Sequence, residues 1–214
     1  MQEYSPDPGS VRHWRPTDPS DLLATVLAGA APAGRPRIIA IDGRAGSGKT
    51  GLAQRLHALV PDSAVVHTDD FGWWQTFFGW DDLAIAHVLQ PLHDGQPVAY
   101  RPASWDLVDR VGSLHVAAGR SAVFLEGAGA GRRSVTPWVD ALIWVQADAA
   151  VARARGLARD GETAEMLAFW DRWQTEEATF LERERPWERA TVTVRTTAAF
   201  AAGNPDAAVE IASD

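Results

Sequence analysis

The eight residues "GRAGSGKT", from Gly43 to Thr50, carry the most specific chemical pattern in the chain. They satisfy G-x-x-x-x-G-K-[ST], in which glycines let backbone N–H groups surround a phosphate and a helix N-terminus adds positive charge. Lys49 is the only lysine among 20 Lys and Arg residues, and it suits β- and γ-phosphate oxygens, while the Thr50 hydroxyl suits Mg²⁺. We therefore predict a nucleoside triphosphate site made of Gly43, Arg44, Ala45, Gly46, Ser47, Gly48, Lys49 and Thr50. We expect this site to end at Thr50, because the next residue, Gly51, is not a second threonine and offers no hydroxyl.

Two neighbouring acids follow the next apolar segment. The stretch "VVHTDD" places Asp69 and Asp70 where a strand ends. An enzyme that phosphorylates a small molecule needs a carboxylate there, within reach of the acceptor hydroxyl. Acids are also common at strand ends as helix caps and turn residues, so the pattern alone does not decide which of the two acts.

Arginines follow two later strands. "GAGAGRR" contains Arg132, and "ARARGLARDG" places Arg153, Arg155 and Arg159 on one helix. Such arginines can stabilise a phosphoryl group in transfer, although a solvated helix face is the simpler interpretation of each one alone.

Other nucleotide-binding classes fit the chain less well. The segment "DDFG", 69–72, matches D-x-x-G of GTPases and D-F-G of protein kinases. A chain with one lysine cannot contain the N-K-x-D guanine motif, and it has no H-R-D loop. A small-molecule kinase is therefore the favoured class.

These residues need a fold that brings strand ends together. Short apolar strands alternate with amphipathic helices from Arg37 onward, which predicts a parallel sheet buried on both faces. Residues 1–34 are expected to be an extension with a short helix capped by Ser20 or Asp21, and 35–214 a kinase domain with an arginine-rich lid near 150–162.

Composition limits the partners. The 214 residues carry a formal net charge of −8 and no cysteine, which disfavours nucleic acid and anionic membranes and excludes disulfides. No segment resembles a signal peptide or a membrane span. We expect a cytoplasmic protein with a small-molecule substrate and leave its oligomeric state open.

The order of "GRAGSGKT", "TDDF", "PVAY", "LEG" and "DAAVARARGLARD" is similar to the uridine kinase branch of the P-loop nucleoside kinases, over roughly residues 37–195. The resemblance implies a three-layer α/β/α fold with a five-stranded parallel sheet in the order 2-3-1-4-5. It also implies ATP as donor, Mg²⁺, and transfer to a nucleoside 5′-hydroxyl. The residues that match the family's motifs are the catalytic Lys49, Asp69, Arg155 and Arg159, the pocket residue Tyr100, and the metal ligands Thr50 and Glu126.

The chain departs from this family around the acceptor. Where the family has Y-D-F-x-x-H, "YRPASW" places Arg101 and Trp105, so uridine is expected to be a poor substrate. The run "FGWWQTFFGW" offers a stacking wall for a flat or apolar acceptor, although apolar packing is the simpler role for most of its rings. The expected substrate-binding residues are Asp70, Trp73, Trp74, Phe78, Asp81, Tyr100, Arg101, Trp105 and Arg132. A vitamin precursor, a sugar acid or an antibiotic are alternative acceptors, and a non-catalytic nucleotide-binding switch is an alternative function.

Overall fold

The computed structural model describes residues 13–72, 77–201, 203–204 and 207–213. The strands are β1 His13–Thr17, β2 Arg37–Gly43, β3 Ser63–His67, β4 Val98–Tyr100, β5 Leu114–Val116, β6 Ala122–Glu126, β7 Ala141–Gln146, β8 Val192–Thr196 and β9 Val209–Ser213. The α-helices are α1 Pro19–Val26, α2 Lys49–Leu59, α3 Asp69–Gly72, α4 Asp81–Ala84, α5 Gln90–His93, α6 Ala149–Asp160, α7 Ala164–Glu184 and α8 Ala198–Ala201. Short 3₁₀ turns cover Ala103–Val108, Thr136–Trp138 and Pro186–Arg189.

Among the described residues, seven strands form one sheet in the order β1-β9-β8-β7-β2-β6-β3. Strands β3, β6, β2, β7 and β8 are parallel, whereas β9 pairs antiparallel with β8 and β1 pairs antiparallel with β9. The predicted five-stranded, all-parallel sheet is therefore wrong in strand number and direction. The five parallel strands do follow the order 2-3-1-4-5, numbered along the chain from β2.

Both faces of the sheet are covered. Side chains of α1, α2 and α8, including Leu22, Leu56 and Phe200, pack with one face in a single apolar cluster. Phe71, Val88 and Leu92 pack on the other face. Burial on both faces explains why β2 is continuously apolar from Ile38 to Ile41, without the alternation of a half-exposed strand.

The N-terminal segment contributes to this core. Strand β1 extends the sheet, and Leu22, Leu23 and Val26 of α1 are buried. Helix α1 begins at Pro19 after Asp18, so the expected capping by Ser20 or Asp21 is wrong. The division of the chain at residue 34 stays a prediction.

The helix that begins at Asp81 continues from α4 through a wider π turn at Ile85–Leu89 into α5. Pro91 lies just beyond that turn, and a proline ring clashes with the carbonyl four residues earlier in a regular α-helix. The wider turn gives that ring space. Strands β4 and β5 then form a separate hairpin. In the part of the chain that the structure describes, no helix is both long and apolar enough to cross a bilayer.

Candidate active site

The loop between β2 and α2 has the geometry expected of a phosphate cradle. Gly46 and Gly48 adopt left-handed φ angles of 83° and 96°, which favour glycine. A Cβ on Gly48 would lie 2.8 Å from Cγ2 of Thr196, so the loop also approaches β8 too closely for a side chain. The Ser47 hydroxyl is fully buried in this loop and has no hydrogen-bond partner among the described residues. These positions therefore require glycine, as the sequence pattern of a phosphate-binding loop predicts.

Lys49 and Thr50 follow at the first turn of α2. Lys49 is 8% exposed, and its Nζ donates to the Arg44 carbonyl at 3.3 Å. The Thr50 hydroxyl donates to Oε1 of Glu126, the last residue of β6, at 2.9 Å. The strand order brings Glu126 here, because β6 is the parallel neighbour of β2.

His67 completes this group from the end of β3. Its Nδ1 lies 2.7 Å from Oε2 of Glu126, and this hydrogen bond raises the pKa of His67. Burial alone would raise the pKa of Glu126, but the hydrogen bond from His67, the charge of Lys49 and the hydrogen bond from Thr50 together hold it below its ordinary value. Glu126 is therefore an ionised carboxylate beside the phosphate loop.

Thr50 and Glu126 fit Mg²⁺ in the way such sites usually hold it. Both offer oxygen atoms, which Mg²⁺ prefers, and both lie beside the phosphate loop. Among the described residues, no group of three or more His, Cys, Asp or Glu side chains could hold a metal by itself. Mg²⁺ typically relies on one or two protein ligands together with water and substrate phosphates, so these two residues are compatible with it.

A large cleft of about 740 Å³ opens over the phosphate loop. The volume is within the range of small-molecule sites, about 300 to 1,000 Å³. Arg55 stacks on the Phe200 ring at 3.7 Å in its wall. The other walls include Gly46, Gly48, Lys49 and Thr50 of the loop, Gly51 and Gln54 of α2, and Arg155 and Arg159 of α6.

Gly51 lines this cleft one residue beyond the predicted end of the site at Thr50. A Cβ at this position would lie 3.6 Å from the Phe200 ring, an ordinary contact distance. Gly51 has no side chain, so only its backbone N–H in the first turn of α2 is available to a ligand in the cleft. The signal that could have placed it here is its position in the first turn of the helix that follows the loop.

A small cavity of about 70 Å³ adjoins the large cleft at the same loop. Its lining includes Lys49, Thr50, Asp69, Glu126, Arg159, Asp160, Phe169, Trp170 and Trp173. Asp69 is exposed at the start of α3, and its charge contributes to the raised pKa of Arg159, whose largest cause is the hydrogen bond with Asp160. The structure therefore brings together five residues whose roles were predicted, namely Lys49, Thr50, Asp69, Glu126 and Arg159.

The arginines of α6 have different surroundings. Arg155 donates to the Thr196 hydroxyl at 3.1 Å, and Thr196 donates to the Ser47 carbonyl at 2.9 Å, which ties the helix to the phosphate loop. Arg159 forms two hydrogen bonds with Asp160, at 2.6 and 2.9 Å. Arg153 instead pairs with Gln174 and Asp171 on α7. Two of the three arginines thus line the large cleft.

Asp70 points away from the small cavity. Its Oδ1 accepts a hydrogen bond of 2.6 Å from Arg110, and its carbonyl accepts one of 2.9 Å from the Trp105 indole. Trp105 is 4% exposed, with the Arg110 guanidinium stacked on it at 3.7 Å. Asp70 therefore contacts Trp105 and Arg110 within the protein. The role of Asp70 and Trp105 in substrate binding stays a prediction.

Other predicted substrate residues also have partners within the protein. Tyr100 stacks on His87 at 4.1 Å, and Arg101 bonds Asp106 at 2.7 Å. Asp81 and the buried Arg132 form an ion pair of 2.7 Å. Phe78 stacks on Phe180 at 4.2 Å and does not line the small cavity. Trp73 and Trp74 lie outside the described residues.

Glu177 and Trp173 of α7 are parts of the site that sequence reasoning missed. Oε1 of the buried Glu177 accepts from the backbone N–H of Ala45 at 2.8 Å and from the Trp173 indole at 3.1 Å, and Oε2 pairs with Arg44. Helix α7 is therefore fixed to the phosphate loop. Trp173 and Glu177 are four residues apart and share one helix face, but this spacing does not indicate which segment that face contacts.

A second missed contact is the crossing of α6 and α7. A Cβ on Gly156 would overlap the Trp170 indole, so glycine lets Trp170 pack at the cavity. The signal in the sequence was an isolated glycine in a helix, which is unfavourable by about 1 kcal/mol relative to alanine and often marks a close approach.

The third feature of the site that sequence reasoning missed is Asp42, a fully buried carboxylate at the end of β2. It accepts backbone hydrogen bonds from Gly43, Gly129 and Gly131 at 2.7 to 2.8 Å. Burial raises its pKa to about 6, although these three donors and the charge of Lys49 act in the opposite direction. Asp42 thus positions the loop after β6 beside the phosphate loop.

Two solved structures resemble this chain in fold. A possible uridine kinase from Bacillus stearothermophilus has a TM-score of 0.61 at 19% identity, covering 82% of this chain and 96% of that one. A candidate fructose transport system kinase from Silicibacter sp. TM1040 has a TM-score of 0.56 at 19% identity, covering 67% of this chain and 81% of that one. The chain has a P-loop kinase-like fold. At this identity the likeness concerns the fold alone, and in sequence no family model and no curated protein matches.

Proposed function

We propose that the protein is an ATP-dependent phosphotransferase that transfers the γ-phosphoryl group to a hydroxyl group of a small metabolite. One observation carries the proposal: the large cleft and the small cavity share Gly46, Lys49, Thr50 and Arg159. A triphosphate held by the loop from the large cleft would end at this junction, with Asp69 on the other side.

In this proposal Asp69 accepts the proton of the acceptor hydroxyl. The hydroxyl oxygen then forms a bond to the γ-phosphorus, the bond from that phosphorus to the β,γ-bridging oxygen breaks, and ADP leaves. Lys49 and Arg159 stabilise negative charge on the phosphoryl oxygens during transfer, so positioning and electrostatics supply most of the catalysis. Thr50 and Glu126 would hold Mg²⁺, which neutralises phosphate charge when bound.

The structural arrangement favours an acceptor other than uridine. Tyr100, Arg101 and Trp105, which replace or match the family's pocket residues, contact His87, Asp106 and Asp70 within the protein. A site without hydrogen-bonding groups for the edge of a base does not select that base over other ligands. The partners that we propose are ATP, Mg²⁺ and a small-molecule acceptor. We further propose that the protein acts in the cytoplasm and binds neither nucleic acid nor a membrane.

A panel of alcohols tests this function. Nucleosides, sugars, sugar acids, vitamin precursors and aminoglycosides are each incubated with ATP and Mg²⁺, and ADP formation and a new phosphorylated mass are measured. We expect at least one acceptor to gain a phosphoryl group in step with ADP, and no product with Lys49→Ala. Slow hydrolysis that no alcohol changes, together with recovery of a protein partner, would favour a nucleotide-binding switch instead.

A further inference from the structure

One wall of the small cavity consists of three aromatic rings of α7 and offers a ligand no hydrogen-bond donor. The Trp170 indole N–H donates to Asp160 at 3.2 Å, and the Trp173 indole N–H donates to Glu177 at 3.1 Å. Phe169, the third ring of this wall, has no polar atom and is half-buried. A ligand that contacts these three rings therefore meets their carbon atoms.

The rest of the cavity's lining is polar and charged. It includes Lys49, Asp69 and Glu126, together with Arg159 and Asp160. A ligand that places a hydroxyl against these groups can place its remaining surface against the aromatic rings. The cavity thus separates a reactive polar end from an apolar end.

Size further restricts the ligand. The small cavity has a volume of about 70 Å³, roughly a tenth of the large cleft. A cavity of about 150 Å³ holds benzene, so a space of about 70 Å³ can enclose only the hydroxyl-bearing end of an acceptor. The rest of the acceptor then extends out of the small cavity along the rings of α7.

We propose that the acceptor is a compact alcohol whose non-reacting side is aromatic or apolar, and that Phe169, Trp170 and Trp173 of α7 determine this specificity. This inference rests on the proposed function, because it takes the small cavity as the acceptor site. It moves the acceptor's apolar contact from the run 71–80 to helix α7. The hairpin β4–β5 then has a structural role, with Trp105 and Arg110 holding Asp70 in place.

Binding measurements test the proposal without requiring turnover. Saturation-transfer NMR is recorded with benzyl alcohol, glycerol and uridine, each in the presence of a non-hydrolysable ATP analogue and Mg²⁺. We expect benzyl alcohol to bind more tightly than glycerol or uridine, and Phe169→Ala to weaken that binding about tenfold, as the loss of a stacked ring allows. Phe169→Leu, which keeps an apolar side chain, provides a second variant in case the alanine form does not fold.

Phe77→Ala is the matched control. Phe77 packs edge-on against Phe169 with centroids 5.7 Å apart, yet it does not line the small cavity. It should leave benzyl alcohol binding within about threefold, since the lining rings remain. No binding of benzyl alcohol at tens of millimolar, or equal losses in the Phe169 and Phe77 variants, would overturn the proposal.

Failure of the inference is distinguishable from failure of the function. If uridine is phosphorylated efficiently and Phe169→Ala leaves its kcat/KM unchanged, the phosphotransferase function holds and the α7 specificity is wrong. If benzyl alcohol binds in a manner that depends on Phe169 but no alcohol is ever phosphorylated, the binding site holds and the function is wrong.

Discussion

Asp69 and Asp70 are neighbours with different surroundings, and replacing each by asparagine separates their roles. Asp69 is exposed and lines the small cavity beside Lys49 and Arg159. Asp70 is 7% exposed and is paired with Arg110 at 2.6 Å. The two substitutions change the same chemical group by the same amount, so each is the control for the other.

The expected magnitudes follow from these contacts. Loss of a general base costs about 10²- to 10⁴-fold in rate, so Asp69→Asn should lower kcat at least about a hundredfold with little change in the Kd for ATP. Asp70→Asn keeps an oxygen that can accept from Arg110, which is half-exposed, so it should cost about 1 kcal/mol of stability and leave kcat within a few-fold. In a chain of this length that loss lowers Tm by about 2 to 4 °C.

The assay is steady-state ADP formation with the best acceptor of the panel, together with thermal unfolding and ATP titration for each variant. A fall in kcat for Asp69→Asn without a fall in Tm, and the reverse pattern for Asp70→Asn, is the expected result. Equal effects on kcat, or a larger effect from Asp70→Asn, would refute the assignment of Asp69.

Three further predictions concern the surrounding charges. Lys49→Ala should abolish phosphoryl transfer, because the ammonium group binds the phosphate oxygens. Tm should stay within a few degrees, because Lys49 Nζ makes only a long hydrogen bond of 3.3 Å to the Arg44 carbonyl. Near-wild-type turnover in a folded variant would contradict this prediction. Arg159→Ala should lower kcat about a hundredfold, because Arg159 lines the small cavity. Arg153→Ala removes the same charge from α6, but Arg153 contacts α7, so this control should change kcat less than about fivefold. Equal losses of kcat would show that α6 acts only as a scaffold. The pKa of the Asp42 carboxyl is raised from 3.8 to about 6, so the folded state binds the carboxyl proton more tightly than the unfolded state does. The free energy of unfolding therefore decreases as the pH rises from about 4 to 6, and this carboxyl lowers it by about 3 kcal/mol at neutral pH. Tm measured from pH 5 to 8 should therefore fall in the wild type relative to Asp42→Asn, and parallel pH profiles would contradict the raised pKa.

The local parts of the site could be predicted from the sequence because their geometry depends on short segments. The pattern from Gly43 to Thr50 specifies a strand, a glycine-rich loop and a helix, and all three are present. Glu126 ends β6 and Asp69 follows β3 by two residues. Both strands run parallel to β2, and parallel strands present their carboxyl ends at one edge of a sheet. Their meeting beside Lys49 therefore follows once the strands are placed in order.

Contacts between distant segments were not available from local patterns. Strand β1 begins at His13 and pairs with β9 at Ser213, and neither segment carries a strong strand pattern of its own. The spacing of Trp170, Trp173 and Glu177 on α7 predicts a buried face, but the same spacing suits packing against any apolar surface. The part that Phe169, Trp170 and Trp173 take in the small cavity is therefore visible only in the structure, and the stacking role of Trp73 and Trp74 stays a prediction.

A crystal structure with a non-hydrolysable ATP analogue and Mg²⁺ would test the central claim most directly, through the distance from the γ-phosphorus to the Asp69 carboxylate. An attacking oxygen lies about 3 to 3.5 Å from phosphorus before transfer and about 3 Å from the base that accepts its proton. We predict that the γ-phosphate lies at the junction lined by Lys49, Thr50 and Arg159, with its phosphorus about 5 to 6.5 Å from the nearest Asp69 oxygen. A γ-phosphate directed away from the small cavity, or more than about 10 Å from Asp69, would contradict transfer to an acceptor held there.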